Sequence, residues 1–101
     1  MIDKVLGIFR NDLKCESINH TNGKNNFTVK GNYRGCLVTI QKTVTGSINL
    51  KPMITVSNST QDYKAALSHK MVINIDIVSL IDGLVDLVLN DIQEIENIKN
   101  L

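Results

Sequence analysis

The sequence predicts an α+β fold, a two-layer sandwich in which an N-terminal helix and a long C-terminal helix cover one face of an antiparallel sheet of about four strands. Three observations carry this prediction. Apolar residues recur every three to four positions at both ends of the chain, they alternate with polar residues in the middle, and glycine-containing connections separate the alternating runs. With 101 residues, 43% of them hydrophobic and 21% charged, the chain has the length and composition of one folded core, so residues 1–101 are read as a single domain.

At the N-terminus Ile2, Val5, Leu6, Phe9 and Leu13 share a helical stripe, which predicts an amphipathic helix over residues 2–16. The asparagine-rich stretch 19–26 reads as a polar loop, because its side chains compete with the backbone for hydrogen bonds. From Phe27 the period is two, giving one strand through Tyr33 and a second from Cys36 to Val44. Thr45, Gly46 and Ser47 form a hairpin connection to a third strand, Ile48 to Val56, and Pro52 inside it predicts an edge position or a bulge. Residues 57–69 read as a polar connection with a helical turn near Tyr63, and Met71, Ile73, Ile75 and Ile77 as a fourth strand.

Ser79 is the expected N-cap of the last helix, with Asp82 three residues on, and the helical pattern runs to about Lys99. Its main stripe is Ile81, Leu84, Val85, Val88, Ile92 and Ile95. Leu80, Leu87, Leu89 and Ile98 widen the apolar arc to roughly 200°, more than one packing partner uses. Ile2, Val5, Phe9, Val38, Ile40, Ile54, Ile73, Ile75, Val85, Val88 and Ile92 are expected to form one contiguous core.

The balance of charge is +1, so no overall field draws the molecule onto nucleic acid or an anionic membrane. Asp3 and Lys4 interrupt the N-terminal apolar residues, and Asp76, Asp82 and Asp86 interrupt the longest apolar stretch; neither a secretory signal nor a spanning helix is expected, and the chain reads as cytoplasmic. In a reducing compartment Cys15 and Cys36 are expected to be free thiols, one closing a helix and the other packing in the core.

Chemistry is sought among the scarce residues. His20 and His69 have no serine or cysteine set beside them in a nucleophile motif, and Cys15, His20, Cys36 and His69 lack the spacing of a metal site. Gly31, Gly35 and Gly46 are dispersed among strands and make no phosphate loop. Asp82, Asp86, Asp91, Glu94 and Glu96 read as a solvated helix face. The expectation is a protein with no catalytic residues, no cofactor and no metal.

What remains is charge segregation. Residues 21–70 carry seven lysines or arginines against Asp62 alone, and residues 76–101 carry six acids against Lys99 alone. Lys30, Lys51, Arg34 and Lys42 are the candidate partner-binding cations of an open sheet face, with Thr28, Asn32, Thr39, Gln41, Thr43 and Asn49 around them. Leu80, Leu87, Ile98, Asp91 and Glu94 are the candidate interface of the last helix, most simply in a symmetric homodimer. Tyr63 is the one aromatic expected to be available for stacking on a base.

In the order helix, three strands and helix, the chain resembles the double-stranded RNA-binding domain. That family's closing helix begins with a basic cluster that meets phosphates, whereas the equivalent segment here presents Asp82 and Asp86. The expected function is therefore that of a small non-enzymatic protein that docks on a protein partner through an acidic or nucleic-acid-binding surface of that partner. The excess of Asn, Ile and Lys points to an AT-rich source, such as a phage or mobile element, and so to an inhibitor of a host defence nuclease of the anti-CRISPR kind. The alternatives are a nucleic-acid binder using the basic sheet and a phage tail or neck assembly component.

Overall fold

The computed structural model describes the backbone of residues 1–56, 59–74 and 76–99, and their side chains except at 56, 59, 69, 73, 74 and 95–99. The N-terminal helix α1 (Ile2–Gly7) widens into a π-helical segment (Ile8–Asp12). Strands β1 (Glu16–Asn22), β2 (Phe27–Tyr33), β3 (Cys36–Lys42) and β4 (Ile48–Val56) follow, then the short strands β5 (Ser59–Asp62) and β6 (Ala65–Leu67), and finally helices α2 (His69–Asn74) and α3 (Ile77–Lys99). The strands form one antiparallel meander, β1-β2-β3-β4-β5, with β6 also pairing with β4.

Six strands replace the four expected, and each difference has a local cause. The N-terminal helix stops at Asp12 rather than at residue 16, because Lys14 takes a left-handed conformation (φ 53°) and Cys15 N–H closes back on the Phe9 carbonyl. Residues 16–22, part of them expected as loop, form the edge strand β1; their backbone pairs with β2 while their polar side chains stay exposed, so no alternation marks them.

Residues 69–74, expected to open a strand, are helical. Ser68 Oγ accepts from Met71 N–H at 3.2 Å, the geometry of an N-cap, and Val72 is buried. Ile73 and Ile75, placed in the core from the sequence, lie outside the described side chains. The cap of α3 is Asp76 rather than Ser79, with its carboxylate accepting from Ser79 N–H at 3.2 Å and from Ser79 Oγ–H at 2.7 Å. These bonds hold the Asp76 carboxyl below the usual carboxylate range. With β1, β5, β6 and α2 present, the element order departs from the helix, three strands and helix of the double-stranded RNA-binding domain.

The core lies between the helices and one face of the sheet. Val5 and Phe9 from the N-terminal segment and Ile81, Val85 and Val88 from α3 are fully buried against Val29, Val38, Ile40 and Leu50. Ile92 is also buried, whereas Ile2 and Ile54, expected inside, are only partly so. Gly31 permits a close approach between the N-terminal segment and the sheet. A Cβ there would stand 2.8 Å from Cys15 Cβ and 3.0 Å from Phe9 Cδ2, so only glycine lets the end of the N-terminal segment settle on β2. Cys15 and Cys36 are free thiols, and burial pushes both up from the ordinary thiol pKa.

Pro52 is neither at an edge nor in a bulge. It sits within β4 between β3 and the β5–β6 edge, and the ladder breaks in its partner instead. β5 and β6 keep one register against β4, with Met53 opposite Asp62 and Leu50 opposite Ala65. The interruption at Tyr63 and Lys64 faces Pro52, which has no N–H to donate; Tyr63 N–H to the Pro52 carbonyl, at 3.4 Å, is the bond that survives.

Candidate docking face on the sheet

The strand registers sort the uncovered face into cross-strand rows. Asn19, Lys30, Thr39 and Lys51 oppose one another in turn, and the common register of β5 and β6 sets Lys64 opposite Lys51. Lysines thus occupy three of the five positions of this middle row. On one side lies Asn32, Leu37, Met53 and Asp62, with the half-buried Leu37 and Met53 paired at its centre; on the other lie Thr28, Gln41, Asn49 and Ala66. The rows enclose a shallow depression of about 340 Å³.

Lys51 Nζ stands 3.1 Å from Asp62, an exposed ion pair worth at most about 1 kcal/mol. Lys30 and Lys64 form no ion pair among the described residues. The face therefore presents cationic heads around a small apolar floor, with amides and hydroxyls beside them. Its chemistry is recognition of an anionic surface that also offers an apolar group.

Two of the four predicted cations are elsewhere. Lys42 follows the helix-side parity of β3, opposite Phe27 and Ile48, and lines a separate recess with Met1 and Ile2. Arg34 and Gly35 are the two left-handed residues of the β2–β3 turn (φ 54° and 81°), the conformation that a two-residue hairpin loop demands. From that turn Arg34 reaches across the end of the sheet to α3, Nη1 donating to Asp82 at 3.2 Å and Nη2 to Asp86 at 2.6 Å. It thereby bridges two carboxylates four residues apart that would otherwise repel. Thr43 belongs to the β3–β4 turn, where its N–H bonds the Ser47 carbonyl.

Lys64 was missed in the sequence because residues 57–69 show no alternation; only the register exposes its alignment with Lys51.

The acidic helix is partly neutralised within the molecule. Tyr33 Oη–H donates to Asp82 at 2.6 Å and Tyr63 Oη–H donates to Asp91, and each carboxylate raises the pKa of the tyrosine bonded to it. Tyr63 is thus engaged by α3 and offers no stacking platform on the open face. Phe9 and Phe27 are buried, so all four aromatic residues of the chain lie toward the helix layer. Of the predicted helix interface, Leu80 packs against the core, Leu87 and Glu94 are exposed, Asp91 is held by Tyr63, and the side chain of Ile98 lies outside the described residues.

His20 is exposed on β1, and the His69 side chain lies outside the described residues. Among the described residues no group of three or more His, Cys, Asp or Glu is placed to hold a metal ion, and no helix is long and apolar enough to cross a membrane. Comparison with known proteins found no matching family model, no matching curated protein and no matching solved structure.

Proposed function

We propose that this chain is a non-enzymatic docking protein that binds an acidic protein partner through the open face of its sheet. The observation that carries the reading is the middle row of that face, where Lys30, Lys51 and Lys64 flank the Leu37–Met53 pair. Charge supplies steering and orientation, and the apolar pair supplies a small area of dehydrated contact.

The position of the aromatics favours a protein over a single-stranded nucleic acid. Sequence-tolerant binding of single strands uses exposed rings on which bases stack, and the rings of this chain are directed to its helix layer. Within the docking class, a small inhibitor that occludes its partner, such as a phage or mobile-element product aimed at a defence nuclease, is the role to which the composition points.

The test compares the wild type with a Lys30→Glu/Lys64→Glu variant as baits in native lysate treated with nuclease. A protein retained by the first and lost by the second, with unchanged melting of the bait, is the expected result. Retention that disappears with nuclease treatment, or that survives the double reversal, overturns the reading.

A further inference from the structure

We infer that the element of the partner received by this face is an acidic amphipathic helix lying across the strands; the inference rests on the docking reading above. The argument is geometric. Neighbouring strands stand about 4.8 Å apart, so Lys51 is about 10 Å and Lys64 about 14 Å from Lys30 along the row. In an α-helix, residues i and i+7 are separated by about 10 Å and residues i and i+11 by about 16 Å along the axis, and all three lie within a narrow stripe. Acids at these positions fall within reach of the three flexible lysine stems.

The apolar pair fixes one further position. Leu37 and Met53 stand on the strands of Thr39 and Lys51, two residues along, so they lie about 7 Å to one side of the lysine row and centre about 7 Å from Lys30 along it. Position i+3 of the crossing helix is about 4.5 Å along its axis and turned about 60° from the acidic stripe toward the side on which the pair lies, which sets an apolar side chain beside Leu37. The pattern recognised is acid, apolar, acid, acid at i, i+3, i+7 and i+11.

A phosphate backbone matches the charges but leaves Leu37 and Met53 without an apolar contact. The chain's own α3 is a poor occupant. Aligned on its exposed Leu87 it offers Asp91 at i+7, already bonded to Tyr63, but Leu84 and Ile95 where the other two acids are needed.

The inference is tested with a fluorescent helical peptide carrying three glutamates and a leucine in this pattern on a neutral alanine and glutamine background. A second peptide of the same composition has its glutamates spread around the helix, and mixed-sequence DNA serves as duplex and as single strand. Anisotropy is expected to show binding to the full chain that weakens about tenfold or more with the spread glutamates, and by a similar factor for Lys30→Glu or Lys64→Glu. A Met53→Ser variant is expected to weaken the patterned peptide while leaving its dependence on salt unchanged.

Equal binding of the two peptides, no binding of either, or tighter binding of DNA than of the patterned peptide overturns the inference. If the peptides fail while the wild-type bait still retains a protein that the double reversal loses, the docking reading stands and the crossing helix falls.

Discussion

Gly31→Ala places one methyl group where the structure leaves no room for it. The added Cβ would meet Cys15 Cβ at 2.8 Å, Phe9 Cδ2 at 3.0 Å and Cys15 Sγ at 3.2 Å. The first of these is shorter than real Cβ contacts allow, and Phe9 is fully buried, so it can move only by displacing its core neighbours. Overpacking of this kind costs about 1–3 kcal/mol. In a domain of this size that corresponds to a fall of about 5–20 °C in melting temperature, read together with the urea midpoint at unchanged slope.

The cause is tested by a double-mutant cycle. Cys15→Gly removes two of the three contacting atoms, so Gly31→Ala should cost less in that background than in the wild type. A Gly31→Ala protein with wild-type midpoint, or a cycle with no coupling, would refute the packing of the N-terminal segment on β2.

Val88→Ala, at a fully buried position of α3, should lower stability by about 2 kcal/mol or more through lost burial and a cavity, measured by urea denaturation. At the β2–β3 turn, Arg34→Gly should be tolerated better than Arg34→Ala by about 1 kcal/mol. Both lose exposed ion pairs to Asp82 and Asp86, but glycine also relieves the left-handed backbone; equal midpoints would remove the strain argument.

Stability should also decline at both ends of the pH range. The Asp76 cap contributes fully above its unfolded pKa of about 4, and the contribution is lost as pH falls through the lower folded value. The Tyr33 and Tyr63 bonds contribute fully below the unfolded pKa of about 10 and are lost as pH rises through the higher folded values. In melting scans, Asp76→Asn should flatten the acid limb, and Tyr33→Phe the alkaline limb.

Periodicity made β2, β3, β4 and α3 legible, because each is half-buried and its burial repeats with the geometry of the element. It missed β1, a polar edge strand held by backbone pairing, and β5 and β6, where Pro52 interrupts the partner ladder. It misread residues 69–74, since Met71, Ile73, Ile75 and Ile77 alternate as strand residues do, while the Ser68 cap starts a helix in which Val72 is buried.

Of the docking face, Lys30 and Lys51 were legible from strand parity. Arg34 and Lys42 were not, for different reasons. A turn residue has no fixed parity, and Lys42 lies on the helix-side alternation of β3, where a strand end leaves a lysine partly exposed. Segregation of charge in the sequence overstated separation in space, because Arg34, Tyr33 and Tyr63 carry sheet-side donors directly to the acids of α3.

The most direct test of the docking account is residue-by-residue mapping of the partner footprint by amide and methyl NMR on the isotope-labelled chain. Titration with the protein retained in the bait comparison should shift Lys30, Leu37, Thr39, Lys51, Met53 and Lys64 together while leaving the exposed side of α3 unchanged. Shifts confined to Leu87, Asn90 and Glu94 would contradict it, placing the contact on the helix and leaving the lysine row as a solvated surface.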